Sequence, residues 1–265
     1  MINIILSAAY DTHAYYGSPI YTSPIIMAGT IINVAGIVAG SLIGVALKKR
    51  ISNRLTDPIL KIMGVVIAII SLNGIIGAMF RADPYTGTLI SSGGFLLLVS
   101  LVIGCLAGEL MRIDDRINAF GQNVEARFGA AGFAKGFVSA SLIFPIGAMA
   151  IIGPLYDGLM GDISVLLIKT GLDFTISIIL ASTLGIGVLF SFIPVLIVQG
   201  SITLLAGAIY PFVSHTLLDL FCMTGYVLVL CIGINFIIDA KIKVANLLPA
   251  LLVTIGYYFI THNIF

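Results

Sequence analysis

Long apolar segments separated by short polar stretches dominate this sequence. A helix that crosses the hydrocarbon core of a bilayer needs about 20 predominantly apolar residues, and its backbone polar groups must be satisfied within the helix. The sequence therefore predicts an all-α fold, a polytopic membrane protein of about eight transmembrane helices. The predicted spans are residues 25–47, 59–80, 87–111, 133–153, 163–189, 192–212, 217–238 and 244–262.

The composition agrees with a membrane-embedded chain and excludes several classes of protein. Hydrophobic residues make up 59% of the 265 residues and charged residues 9%, whereas an ordinary soluble domain carries about 25% charged residues. The net charge of +1 provides no basic excess for a nucleic acid. The three cysteines lie inside apolar segments, which favours packing roles over a disulfide framework or a metal site. The expected partner is the lipid bilayer, with no nucleic acid.

Basic residues between the predicted spans indicate how the chain is oriented. Lysine and arginine are enriched in cytoplasmic loops, and with eight spans most of them fall on one face. That face is then cytoplasmic, both termini lie outside, and the expected location is the inner membrane of a bacterial cell. The residues on this face are Lys48, Lys49, Arg50, Arg54, Arg112, Arg116, Arg127, Lys135, Lys241 and Lys243.

The predicted spans fall into two halves joined by an amphipathic segment. Residues 1–24 form an N-terminal extension, 25–111 the first helical half and 132–265 the second, within one membrane domain. The linker 112–131 carries an apolar stripe opposite a charged face, which is typical of a helix on the cytoplasmic membrane surface. For this helix a plain surface connector without a regulatory role is favoured. The stripe consists of Ile113, Ile117, Phe120, Val124 and Phe128.

The first and sixth spans resemble each other. Ser41–Leu47 aligns without gaps with Thr203–Ile209, and the same offset pairs Asn73 with Asn235. Because the two copies are five spans apart in the chain, they would run in opposite directions through the membrane. Inverted repeats of this kind are common in secondary transporters, whose sites lie near the midplane where the repeats meet. The sequence thus predicts an inverted repeat.

Asp173 lies midway along the fifth predicted span, and Lys169 precedes it by one helical turn. A carboxylate without a partner at that depth is expensive, so it needs a cation, a proton or an ion pair. Two interpretations stay open. Asp173 and Lys169 form the charged centre of a substrate or coupling-ion site, or they form a structural pair that fixes helix packing.

Four amides lie at similar predicted depths: Asn33, Asn73, Gln199 and Asn235. We expect these side chains to line the same site, because amides coordinate sodium or hydrogen-bond a polar solute. The alternative is hydrogen bonding between helices, a common structural use of amides in membranes. The glycines Gly36, Gly40 and Gly44 allow close helix contact, for which packing within one chain is favoured over a homodimer seam.

Further stretches form a pattern of their own: GTIIN (Gly29–Asn33), GAMAIIG (Gly147–Gly153), DGLMGD (Asp157–Asp162), LDFTISIILASTLGIGVLFS (Leu172–Ser191), QG (Gln199–Gly200), GIN (Gly233–Asn235) and NLLPALL (Asn246–Leu252). With them the chain resembles the YdfK/YqgA-like bacterial membrane proteins of domain-of-unknown-function family 554. The resemblance implies a polytopic inner-membrane protein of a family often guessed to transport. It implies no substrate and no functional residues.

These features together predict a secondary transporter or ion-coupled permease for a small polar solute or ion. The coupling ion would be sodium or a proton, and no cofactor or bound metal is expected. A passive channel and a non-transporting membrane scaffold are the alternatives. An enzyme is not expected, because the sequence contains no nucleophile–base arrangement, P-loop or dinucleotide fingerprint.

Overall fold

The computed structural model describes residues 25–48, 53–82, 88–91, 93–128, 132–147 and 149–262. The predicted extension 1–24 lies outside these residues. The described part is almost entirely helical, which confirms the all-α prediction. Its helices are α1 Ala28–Lys48, α2 Asn53–Met79, α3 Gly94–Met111, α4 Ile113–Phe128, α5 Phe133–Ile143, α6 Met149–Met160, α7 Ser164–Leu184, α8 Phe192–Leu204, α9 Ala206–Ile209, α10 His215–Ile238 and α11 Pro249–His262.

Seven helical segments of the described ranges are long and apolar enough to cross a membrane. The fourth predicted span, 133–153, is not among them, because it is divided into the short helices α5 and α6. The chain breaks here because Pro145 cannot continue the hydrogen-bonding ladder and Gly147 adopts a φ of 123°. The predicted fourth span thus consists of two short helices and not of one continuous helix.

Helices α1 and α7 pack side by side and run parallel. A Cβ placed on Gly29 would contact Leu166, one on Gly36 would contact Thr170, and one on Gly44 would contact Ala181. Along this series of contacts the residue numbers increase in both helices, so the two helices begin at the same face of the bundle. The glycines predicted to allow close helix contact therefore pack within one chain.

The parallel packing of α1 and α7 indicates how α5 and α6 lie. Helices α2 and α3 return the chain to the face where α1 ends, so one more crossing must precede α7. Gly136 of α5 lies beside Leu184 at the end of α7, whereas Gly153 of α6 lies beside Leu166 near its start. We infer that α5 and α6 together form the fourth crossing, which makes eight crossings within the described ranges.

Three further helix pairs are antiparallel. In α2 and α10, Gly64 lies against Phe236 and Gly74 against Tyr226. Helix α3 similarly meets the region of α11, where Gly108 lies against Asn246. Helices α1 and α8 meet near their start and end, respectively. These pairs satisfy a requirement of an inverted repeat, but antiparallel neighbours also occur without one, so the repeat itself stays a prediction.

Smaller features differ from the sequence-based expectation. Between α2 and α3 the chain forms a two-stranded antiparallel hairpin, β1 Phe80–Ala82 and β2 Leu89–Ser91. Helix α7 ends at Leu184 because Gly185 has a φ of 86°, and a 3₁₀ turn over Ile186–Ser191 leads into α8. The predicted linker, in contrast, forms a helix as expected, α4. Its first turn is held by a hydrogen bond from Asp114 N–H to Asn246 Oδ1 at 2.7 Å.

The surface of the bundle is apolar where a membrane would surround it. Helix α3 shows this most clearly, since Phe95, Leu98 and Leu110 are 73%, 61% and 85% exposed. In water such a surface would drive aggregation, but in lipid it is the expected exterior. The interior holds a continuous apolar core that includes Leu184 and Ile232.

Candidate functional site

Helices α1, α7 and α8 bring four of the six predicted site residues together: Asn33, Lys169, Asp173 and Gln199. Lys169 Nζ lies 3.0 Å from Asp173 Oδ1 and 2.8 Å from Asp173 Oδ2. Asn33 Nδ2 donates to Asp173 Oδ2 at 3.1 Å and to Gln199 Oε1 at 3.2 Å. We call these four residues the ion-pair cluster.

The ion-pair cluster is shielded from its surroundings. Asn33 and Gln199 are completely buried, and Lys169 and Asp173 are 6% and 4% exposed. None of these side chains therefore faces lipid. A buried charge pair is tolerated only when its members contact each other and further hydrogen bonds complete their shells. The direct contact between Lys169 and Asp173 and the donation from Asn33 provide this in part.

Two amide atoms of the ion-pair cluster are left without a partner. Asn33 Nδ2 has two hydrogens, and it uses one for Asp173 and one for Gln199. The carboxylate can only accept, so this network assigns the orientation of both amides. Asn33 Oδ1 and Gln199 Nε2 are both buried, and in this orientation neither makes a hydrogen bond in the described part of the chain. One is an acceptor and the other a donor, which suits a water molecule or a small polar solute.

The close contact of α1 and α7 makes this cluster geometrically feasible. A Cβ on Gly40 would lie 2.5 Å from the carbonyl oxygen of Phe174, so only glycine allows the two backbones to approach this closely. Asn33, a short side chain two turns earlier on the same buried face, can then reach Asp173. The hydroxyls of Thr170 and Ser177 donate to carbonyls of their own helix instead.

A second polar layer lies nearer the start of α1. The Thr30 and Thr203 hydroxyls are 3.2 Å apart, one helical turn from Asn33 and Gln199 respectively. Asp157 of α6 is 2% exposed, and its Oδ2 accepts a hydrogen bond from Gly29 N–H at 3.1 Å. Sequence reasoning missed Asp157 as a buried residue, because the fourth span was predicted to end at residue 153.

The other two predicted site residues, Asn73 and Asn235, lie elsewhere. Asn73 is half-buried on α2 next to Gly74, which faces Tyr226. Asn235 lies toward the other end of the α2–α10 pair, where its amide bonds both the N–H and the C=O of Ile242. Asn235 thus closes the turn after α10, and the structure does not bring either asparagine to the ion-pair cluster.

A cleft of about 220 Å³ opens on the face that carries most of the basic residues. Charged and amide side chains from α4, α5 and the turn after α10 line it, among them Asp114, Lys135 and Asp239. Burial raises the pKa of the Asp114 carboxyl, and nearby Lys243 opposes that shift. Asn118 donates to Asp114 at 2.7 Å. Within the described ranges, no three histidine, cysteine or acidic side chains are grouped as metal ligands.

The helices and the buried ion pair define the class of this molecule, a polytopic α-helical membrane protein with charges inside its bundle. The chain belongs to the family described as Protein of unknown function (DUF554), whose model matches residues 28–259. This confirms the family indicated by the sequence stretches. The match begins beyond the predicted extension 1–24.

Two relatives from bacteria are similar over nearly their full length. "Uncharacterized membrane protein YdfK" of Bacillus subtilis (strain 168) is 33% identical over 236 residues, which cover 89% of this chain and 97% of that protein. "Uncharacterized protein YqgA" of Escherichia coli (strain K12) is 26% identical over 231 residues, 84% of this chain and 93% of that protein. No solved structure matches the chain.

Proposed function

We propose that this membrane protein is an ion-coupled secondary transporter for a small polar solute or ion. The ion-pair cluster is its binding site, and the coupling ion is a proton or sodium. The observation that carries this proposal is the pair of unpartnered amide atoms, Asn33 Oδ1 and Gln199 Nε2, beside a buried Lys169–Asp173 ion pair. Ionisable residues inside a membrane bundle commonly mark ion or substrate pathways.

The chemistry of coupling follows from competition for one carboxylate. Lys169 neutralises Asp173 in the described arrangement. A proton or a sodium ion that binds Asp173 displaces the ammonium group. Asn33 Oδ1 is then available as a further oxygen ligand to sodium, whereas Gln199 Nε2, a hydrogen-bond donor, is available to an acceptor group of the solute. The ion and Lys169 cannot both satisfy the same carboxylate oxygens. Ion binding therefore favours a different side-chain arrangement, which is the two-state element that coupled transport requires.

The surroundings of the ion-pair cluster support access from one side at a time. Toward the start of α1 the cluster is followed by polar groups, the Thr30–Thr203 pair and then Asp157. Toward the end of α7 it is followed by the apolar core around Leu184 and Val188. The antiparallel pairing of α1 with α8, α2 with α10 and α3 with α11 supports alternating access between inverted halves.

A second candidate function, a membrane scaffold that transports nothing, is favoured by one observation. The Lys169–Asp173 contacts of 2.8 and 3.0 Å are those of a complete ion pair, which alone can fix the packing of α7. A scaffold, however, gives no role to the two unpartnered amide atoms. The two candidates differ in whether the cluster responds to a ligand.

A thermal-stability screen of the purified protein against ions and small metabolites tests the proposal. A ligand that binds only the folded state raises the unfolding temperature by mass action. We expect Asp173→Asn to abolish that rise while the protein still folds. Asp57→Asn is the matched control, because Asp57 pairs with Lys61 at the same helical spacing on the exposed surface. A full ligand response in Asp173→Asn would make the pair structural and favour the scaffold.

We also propose that the basic face is cytoplasmic and that both termini lie outside the inner membrane. The parallel packing of α1 and α7 supports this proposal, since it requires an even number of crossings before α7, and α7, α8, α10 and α11 then add four more. A cysteine introduced at position 118 in α4 should resist an impermeant thiol reagent applied to intact cells. Labelling of that cysteine from outside would contradict the proposed orientation and show that the basic face lies outside.

A further inference from the structure

Asp157 is a second acidic side chain buried in the bundle, and it lies outside the ion-pair cluster. Its Oδ2 accepts the hydrogen bond from Gly29 N–H at 3.1 Å, and the Thr30 N–H lies beside the same carboxylate. The start of α1 is shaped for this approach. A Cβ on Gly29 would lie 3.2 Å from Asp157 Oδ2 and 2.6 Å from Leu166 Cδ1, so a larger residue would separate them.

The other oxygen, Asp157 Oδ1, is buried and makes no hydrogen bond to any described residue. The charged side chains on the elements packed against α6 are Lys48 at the far end of α1, Lys169 and Asp173 on α7, and Asp219 on α10. Neither lysine forms an ion pair with Asp157. Two N–H groups at a helix start offset only part of the penalty of burying a carboxylate. A capping role accounts for Oδ2 but leaves Oδ1 uncompensated.

We propose that Asp157 Oδ1 anchors a second cation site, which takes a proton or a monovalent metal ion. Small hard cations prefer oxygen ligands, and hydroxyl oxygens are available from Thr30 and Thr203, which contact each other at 3.2 Å. This site goes beyond the proposed function, because it binds a cation whether or not Asp173 drives transport.

The test uses a background in which the ion-pair cluster carries no charge, the double variant Lys169→Met/Asp173→Asn. In this background Asp157 is the remaining buried acidic side chain of the described residues. The unfolding temperature of the full chain is measured while sodium chloride replaces N-methylglucamine chloride at constant ionic strength, and separately as the pH is lowered. Asp157→Asn is then added. This change keeps an oxygen that accepts from Gly29 but removes the charge.

Asp162→Asn in the same background is the matched control. Asp162 Oδ1 accepts a hydrogen bond from Ser164 N–H at 2.9 Å, an ordinary local contact of an aspartate just before α7. For a metal site, each tenfold rise in sodium above its Kd raises the unfolding temperature by a constant increment. For a proton site, sodium has no effect and acidification raises it. Asp157→Asn abolishes either response, whereas Asp162→Asn leaves it unchanged.

Two results overturn the proposal. One is a background variant that responds to neither sodium nor acid, and the other is an equal response with and without the Asp157 carboxylate. If Asp157→Asn fails to fold, infrared spectroscopy of the background variant decides. A buried carboxyl band that appears on acidification, or carboxylate bands that shift with sodium, supports the site, and the absence of both rejects it. A response lost in the background but present in the wild type belongs to Asp173 alone.

Discussion

The two most extensive helix–helix contacts among the described residues, α1 with α7 and α2 with α10, are both built on glycines and differ in polarity. Both bring backbones together through glycines, for example Gly40 in the first pair and Gly64 in the second. The α2–α10 contact is largely apolar, whereas the α1–α7 contact contains Asn33, Lys169 and Asp173.

This difference indicates what the buried charges are for. The α2–α10 pair demonstrates that small residues suffice to hold two long helices together without buried ions. The charges between α1 and α7 are therefore not needed for close packing itself. A buried ion pair is commonly no more stabilising than apolar residues of similar volume. Its presence on one interface and not on the other supports the proposal that it serves binding.

Breaking the ion pair from one side should have the largest effect. Asp173→Asn or Lys169→Met alone leaves one charge buried without its partner, which we expect to destabilise the protein by about 3–5 kcal/mol. The double variant Lys169→Met/Asp173→Asn should recover most of that loss, because no unpaired charge remains. Thermal unfolding in detergent measures both. The exposed pair provides the comparison, since Asp57→Asn or Lys61→Met should change stability by about 0.5 kcal/mol or less. Strict additivity of the two buried changes would contradict a direct pair.

Crowding the glycine contacts should have an intermediate effect, and a similar one in both helix pairs. In Gly40→Ala the new Cβ would lie 2.5 Å from Phe174 O, and in Gly64→Ala it would lie 2.7 Å from Gly233 O. Each should destabilise by about 1–3 kcal/mol. Gly77→Ala is the control on α2, because nothing lies within 4 Å of its Cβ. That change should be neutral or stabilise by up to about 1 kcal/mol. Equal unfolding temperatures for Gly64→Ala and Gly77→Ala would reject the described α2–α10 contact.

Removing the amide that holds the linker should have the smallest effect. Asn246 Oδ1 accepts the Asp114 N–H in the first turn of α4, so Asn246→Ala should destabilise by about 1 kcal/mol, as the loss of a helix cap does. Faster amide exchange over the first turn of α4 is expected with it. Asn73→Ala, at an amide outside the cluster and outside this cap, should change stability by about 0.5 kcal/mol or less. A larger loss of stability for Asn73→Ala than for Asn246→Ala would show that the Asn73 side chain makes a stabilising contact on α2.

Much of this architecture could be predicted from the sequence because apolar length and charge placement are local properties. Asp173 and Lys169 were visible as charges one turn apart inside an apolar segment, and Asn33 and Gln199 as amides at similar depth. Asn235 met the same criterion but lies beside the turn that it closes. The depth of an amide along a span does not determine which group its side chain hydrogen-bonds.

The break at Pro145 and Gly147 illustrates another limit of sequence-based reasoning. Both residues weaken a helix, yet only the packing of α5 against the end of α7 and of α6 against its start indicates where the chain goes. The predicted span ended at residue 153, so Asp157 lay outside the predicted spans. Residue type alone could not reveal that α6 continues and buries this carboxylate against Gly29.

The most direct test of the central claim is transport by proteoliposomes that contain the Lys169→Met/Asp173→Asn variant. The substrate is the ion or solute that raises the unfolding temperature of the wild-type protein, and a proton or sodium gradient is imposed across the vesicle membrane. The account predicts that the wild type accumulates this substrate against its gradient. The folded double variant should not accumulate it, although Asp57→Asn should still do so. Accumulation by the double variant at the wild-type rate would contradict the assignment of the ion-pair cluster as the coupling site.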